Sequence, residues 1–135
     1  MTTDKKIELF RKQGWCPVKW AHHPQAIKDL FRKGRFVPKM KACFENAAKL
    51  VLASRGTEHE GRVVYVEGHL MLYGYIPIHH AWIEFDGKEI DVTLNNGDEL
   101  VAAGRIELFD LNKALLQTKR WGDLLRGLEM ARASA

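Results

Sequence analysis

Hydrophobic and polar positions change period along the chain, from helical spacing to strand-like alternation near residue 60 and back to helical spacing near residue 110. Before the first change, residues 4–13 set Ile7, Leu9 and Phe10 among charges, which predicts a short amphipathic helix ended by Gly14. Residues 15–20 carry Trp15, Cys16, Val18 and Trp20 around Pro17 and read as an extended segment over the core. A second helix is expected over 24–33, with Pro24 in its first turn and Gly34 after its end. The strongest helix is residues 40–54, between Pro38 and Gly56. Lys41, Glu45 and Lys49 form one polar stripe there, and Ala42, Phe44, Ala47, Ala48, Leu50 and Val51 are apolar.

After the polar loop 57–61, residues 62–68 and 70–76 read as two β-rich runs, the second ended or placed at an edge by Pro77. Residues 79–85 and 88–93 flank Asp86-Gly87, a dipeptide suited to a two-residue hairpin turn. A turn at 94–99 leads to a further strand within 100–109 around Gly104. Asp110 then caps a helix to Leu116, and residues 120–133 close the chain as a helix. Helices, then antiparallel strands, then helices predict an α+β domain without internal repeats.

The hairpin makes a sharper statement, because a two-residue turn fixes the register and side chains alternate between faces. Phe85 then pairs with Lys88, Ile83 with Ile90, Trp82 with Asp91, and His80 with Thr93. Ala81, Ile83, Ile90 and Val92 share a core face. His80, Trp82, Glu84, Glu89, Asp91 and Thr93 share the other. His80 and Asp91 are diagonal neighbours roughly 7–8 Å apart at the β-carbons, within reach of a carboxylate–imidazole contact. Glu89 lies too far along the ladder, and His79 points to the opposite face.

A carboxylate beside histidine fixes its tautomer and stabilises its cation, which suits a base that takes a thiol proton. Cys43, near the start of the central helix, supplies the thiol. The helix dipole, an imidazolium at His80, and Lys39 and Lys41 all favour its thiolate. Asn46 lies about 60° from Cys43 around the helix, placed to donate to an oxyanion or to hold a loop. The Cys43 backbone N–H is the stronger oxyanion donor.

Composition narrows the rest. One domain spanning residues 1–135 is expected, since 46% apolar and 28% charged residues are ordinary for a globular chain of this length. The net charge of +4 comes from 21 basic and 17 acidic residues without long like-charge runs. With no glycine–aromatic signature of RNA-binding sheets, nucleic acid is not expected as the main partner. Two cysteines, Cys16 and Cys43, make no disulfide framework and fit a reducing compartment. No signal-peptide-like or membrane-spanning apolar run occurs, so a soluble cytoplasmic protein without membrane attachment is expected. Cys16, His22, His23 and His79 match no standard zinc spacing, and no metal or organic cofactor is expected.

Four segments together resemble the transglutaminase-like branch of the papain-like cysteine enzymes. They are Cys43-Phe44-Glu45-Asn46-Ala47, Tyr65-Val66-Glu67-Gly68, Pro77-Ile78-His79-His80-Ala81-Trp82 and Gly87-Lys88-Glu89-Ile90-Asp91-Val92-Thr93. The resemblance spans residues 38–106 and implies a nucleophile-bearing helix packed on an antiparallel sheet, with flanking helices. It implies Cys43 as nucleophile, His80 as general base and acid, and Asp91 as the orienting carboxylate, with Asn46, Glu67 and Trp82 as candidate substrate or oxyanion contacts. Asp91-Val92-Thr93 replaces the family's common Asp-Pro-Thr. The chain has none of the extra domains of calcium-dependent transglutaminases. Hydrolysis, deamidation or other acyl transfer on a protein, peptide or small amide is therefore implied ahead of cross-linking. The rival reading is a papain-like module without turnover, whose basic residues 32–41 engage a protein or anionic partner.

Overall fold

A computed structural model describes residues 16–18, 25–35, 42–72, 76–93 and 99–133. Among them the elements are β1 (Cys16–Val18), α1 (Gln25–Gly34), α2 (Cys43–Ala53), β2 (Val63–Leu72), β3 (Ile76–Phe85), β4 (Lys88–Ile90), β5 (Glu99–Ile106), α3 (Leu108–Thr118) and α4 (Leu124–Ala133). The strands form one antiparallel sheet in the order β1-β5-β2-β3-β4. This is an α+β architecture, as the change of period predicts. The expected helix over 4–13, His22, His23, Lys39 and Lys41 lie outside the described residues.

One sheet face carries the helices. Ile27 and Leu30 of α1, Ala47, Ala48, Leu50 and Val51 of α2, Leu108, Leu111 and Ala114 of α3, and Leu124 and Leu128 of α4 share a core with Val63, Tyr65, Ala81, Ile83, Ile90 and Ile106. A smaller cluster, Val66, Leu70, Trp82, Leu100 and Ala102, sits on the other face. The face that carries His80, Trp82 and Glu89 is therefore buried around Trp82, and its charged residues are partnered, as described below.

Helix α2 turns its apolar positions inward and pairs Glu45 with Lys49 outside at 2.9 Å. At its end Lys33 of α1 donates to the carbonyls of Ala53 and Arg55, at 2.9 and 2.6 Å. That places a cation where the helix dipole is negative. At least this member of the 32–41 basic cluster is used inside the fold.

Four sequence expectations change. First, β2 runs unbroken through Gly68, because β5 accommodates it with a register shift: Glu67 faces Gly104 and Gly68 faces Ala102, leaving Ala103 extra. Second, Pro77 does not end the run but lies inside β3, in the edge position that is its other reading. It is tolerated because β4 pairs with β3 only at Ile83–Phe85, which leaves the Pro77 end with edge character. Third, α3 begins at Leu108, preceded by Glu107 in an extended conformation. Asp110 sits in the first turn and pairs with Arg132 of α4 at 3.4 Å rather than capping. Fourth, α4 begins at Leu124, after Gly122 and Asp123 adopt φ of +114° and +51°.

The hairpin register is as expected, Ile83 to Ile90 and Phe85 to Lys88. Asp86 and Gly87 both have positive φ, +50° and +79°, the backbone of a type I′ turn. Arg62 grips the Asp86 carboxylate at 2.8 and 2.5 Å. Among the described residues no helix is long and apolar enough to cross a membrane.

Candidate functional site

Cys43 is the first residue of α2 and 8% exposed. Its position leaves first-turn amides without intrahelical partners and gives them to whatever lies beside the thiol. Ala42, at the capping position, makes no side-chain hydrogen bond to that end.

His80 stands on β3, buried, with Nε2 2.7 Å from Asp91 Oδ2. The ladder expected to carry Asp91 stops at Ile90, and residues 91–93 bend away. The cause is local. Asp91 Oδ1 accepts the Thr93 backbone N–H at 3.0 Å, and such aspartate turns compete with strand pairing. The contact with His80 survives the loss of the ladder because the same carboxylate serves both groups.

Thr93 Oγ1 in turn accepts from Asn46 Nδ2 at 2.9 Å. Asn46 is buried and bolts α2 to the Asp91 bend, the loop-holding alternative of the two that its sequence position offers. Asn46 thereby ties the Asp91 bend to the helix that carries Cys43. With Nε2 given to Asp91, Nδ1 is the ring nitrogen that remains to serve a thiol, and Cys43 is near enough to help raise the His80 pKa.

Burial pushes the His80 imidazolium down, but the Asp91 hydrogen bond, Cys43 and their negative charge outweigh it and raise its pKa to about 9 from 6.5. A folded value above the unfolded one means the protonated ring contributes stability fully below pH 6.5 and loses it as pH rises through about 9. The contribution is on the order of 3 kcal/mol. Histidine NMR titration should find the His80 midpoint near 9, and lower in both Asp91→Asn and Cys43→Ala. A wild-type midpoint at or below 6.5 would remove the ion pairing from the account.

Trp82 has no exposed surface, so it cannot contact a substrate as the resemblance implies. It stacks on His80, ring centroids 6.2 Å apart and planes at 25°. Its indole N–H donates to the buried Glu89 at 2.6 Å, and Arg105 binds both Glu89 and Glu84. Trp82 is a positioning residue behind the imidazole. Glu89, rejected from the sequence as a partner for His80, reaches it only through that indole.

Glu67 is neither a strand-end charge nor exposed. It is 3% exposed in mid-strand. Its Oε2 accepts the Tyr65 hydroxyl at 2.7 Å and the Leu124 backbone N–H at 3.0 Å, and its Oε1 lies 3.2 Å from His79 Nε2. Glu67 raises the His79 pKa, and burial together with Glu67 drives the Tyr65 phenol far upward. His79 packs edge-on against Phe44, the residue after Cys43, at 4.8 Å. It faces away from His80, as strand alternation predicts. Sequence reading missed the Glu67–His79 contact because it requires the pairing of β2 with β3, in which Glu67 opposes Ala81 and His69 opposes His79.

The site thus joins a helix-start thiol, an imidazole with one nitrogen held by a buried carboxylate, and a turn tied back to the same helix. No family model, curated protein or solved structure matches the chain.

Proposed function

We propose that this protein is a cytoplasmic cysteine-dependent hydrolase or acyltransferase with a papain-like, transglutaminase-like core, acting on an amide or related acyl bond of a protein, peptide or small molecule. The observation that carries the reading is the buried His80–Asp91 pair, joined through Nε2, with Cys43 at the start of α2 near enough to act on the same ring.

In the cycle, the Cys43 proton rests on His80 Nδ1, as the raised His80 pKa favours at neutral pH, and the thiolate adds to the acyl carbon. The oxyanion is met by the backbone N–H of Cys43. The Nδ1 proton then passes to the departing amine as the carbon–nitrogen bond breaks, leaving a thioester on Cys43. Water or another acceptor gives its proton to Nδ1, attacks the thioester and releases the Cys43 thiolate, which restores the starting thiolate–imidazolium pair. Asp91 stabilises the imidazolium in both half-reactions without being protonated. The cycle consumes no cofactor.

An activated acyl ester is the direct test. Mass spectrometry should find one acyl group on Cys43, removed by hydroxylamine as a thioester is, and none in Cys43→Ala. Acylation only at lysines, or at Cys16, would sink the proposal.

A further inference from the structure

Glu67, His79 and Asp123 bring one imidazole nitrogen and two carboxylate groups close together. Their nearest ligand atoms all lie within 4.8 Å of one another. We infer that these three residues form a binding site for one divalent transition-metal ion, of which zinc is the best match. The inference is independent of the thiol chemistry proposed above.

Geometry supports an ion here. Two ligands about 2.0–2.1 Å from a tetrahedral zinc lie roughly 3.3 Å apart. Glu67 Oε1 and His79 Nε2 are 3.2 Å apart. Glu67 is also braced as ligands commonly are, its other oxygen fixed by the Tyr65 hydroxyl and the Leu124 N–H. The Phe44 ring against His79 limits the orientation of the imidazole.

Asp123 completes the set from the start of α4, where its φ of +51° is a conformation few non-glycine residues hold. It now pairs with Arg120 at 2.5 Å, whose side chain is 64% exposed and can withdraw into water. Half-exposed, Asp123 has room to move the short distance to the other two ligands. One nitrogen and two oxygens suit zinc, with manganese as a weaker competitor. Calcium prefers six to eight oxygens and fits poorly. Three protein ligands leave a coordination position open to water.

Zinc titration of the full chain tests the site, in a Cys43→Ala background so that the thiol cannot bind the ion. Asp123→Asn suits this test because asparagine tolerates left-handed backbone as well as aspartate does. Glu67→Gln keeps an oxygen for Tyr65 and Leu124. One zinc per Cys43→Ala chain is expected, with affinity reduced at least about tenfold by either further substitution. His79 ring signals should shift in step with occupancy. Absence of stoichiometric zinc would overturn the inference, as would binding undiminished by Asp123→Asn or zinc that leaves the His79 signals unmoved.

Discussion

Asp91→Asn is expected to slow acylation of Cys43 by about 10²–10⁴-fold at neutral pH while leaving the fold intact. The size of the effect comes from the two bonds that Asp91 makes. Its Oδ1 accepts the Thr93 N–H and its Oδ2 meets His80 Nε2. An asparagine must keep its carbonyl oxygen on the Thr93 side, since a backbone N–H there can only donate. Its NH₂ group then faces His80 Nε2 and donates to it, which moves the ring proton to Nδ1. That is the nitrogen required to accept the thiol proton, so the variant holds the wrong tautomer in nearly the right place. The acylation rate, read by mass spectrometry with circular dichroism as the check on folding, decides the matter. A rate within about threefold of wild type would mean that Asp91 does not orient His80.

Gly68→Ala is the substitution expected to cost most stability. A β-carbon at residue 68 would lie 2.0 Å from the Val101 carbonyl oxygen, 2.9 Å from Ala102 Cα and 3.0 Å from Ala103 N. All three are backbone atoms of β5, which cannot swing aside as a side chain can. The strands must separate where β5 carries its extra residue, next to Glu67 and across from His80. A loss of at least about 3 kcal/mol follows, seen as a melting temperature lower by on the order of 10 °C or more. Gly104→Ala makes the comparison. The three atoms nearest its β-carbon all belong to the Leu125 side chain, one methyl at 2.8 Å, and a rotamer change relieves the clash. If the two variants melt together, the close approach of β2 and β5 is not what makes Gly68 necessary.

These two residues also mark what the chain discloses before it is folded. Asp91 was legible because the hairpin is local. Asp86-Gly87 specifies its own turn, the turn sets Ile83 against Ile90, and alternation selects His80 over His79 and Asp91 over Glu89. The selection held although the strand ends at Ile90, because the Asp91 side chain supplies the contact that the ladder does not. From sequence the first β-rich run ends at Gly68, although the strand continues, and a glycine in such a run can mark either a turn or a close backbone approach. Only the partner strand distinguishes them.

The same limit hid the side-chain networks. Glu67 with His79, and Glu89 with Trp82 and Arg105, join residues from strands distant in sequence. Their contacts depend on registers that no short motif sets. Asn46 was placed correctly on the helix, yet its partner, Thr93, became visible only once the Asp91 bend was known.

The central claim is that His80 activates Cys43. It is tested most directly by the rate at which a thiol-directed acylating probe modifies Cys43 at pH 7 in wild type and in His80→Ala. A fall of about 10²-fold or more in the variant, with folding retained, is the predicted result. Equal rates in the two proteins would contradict it.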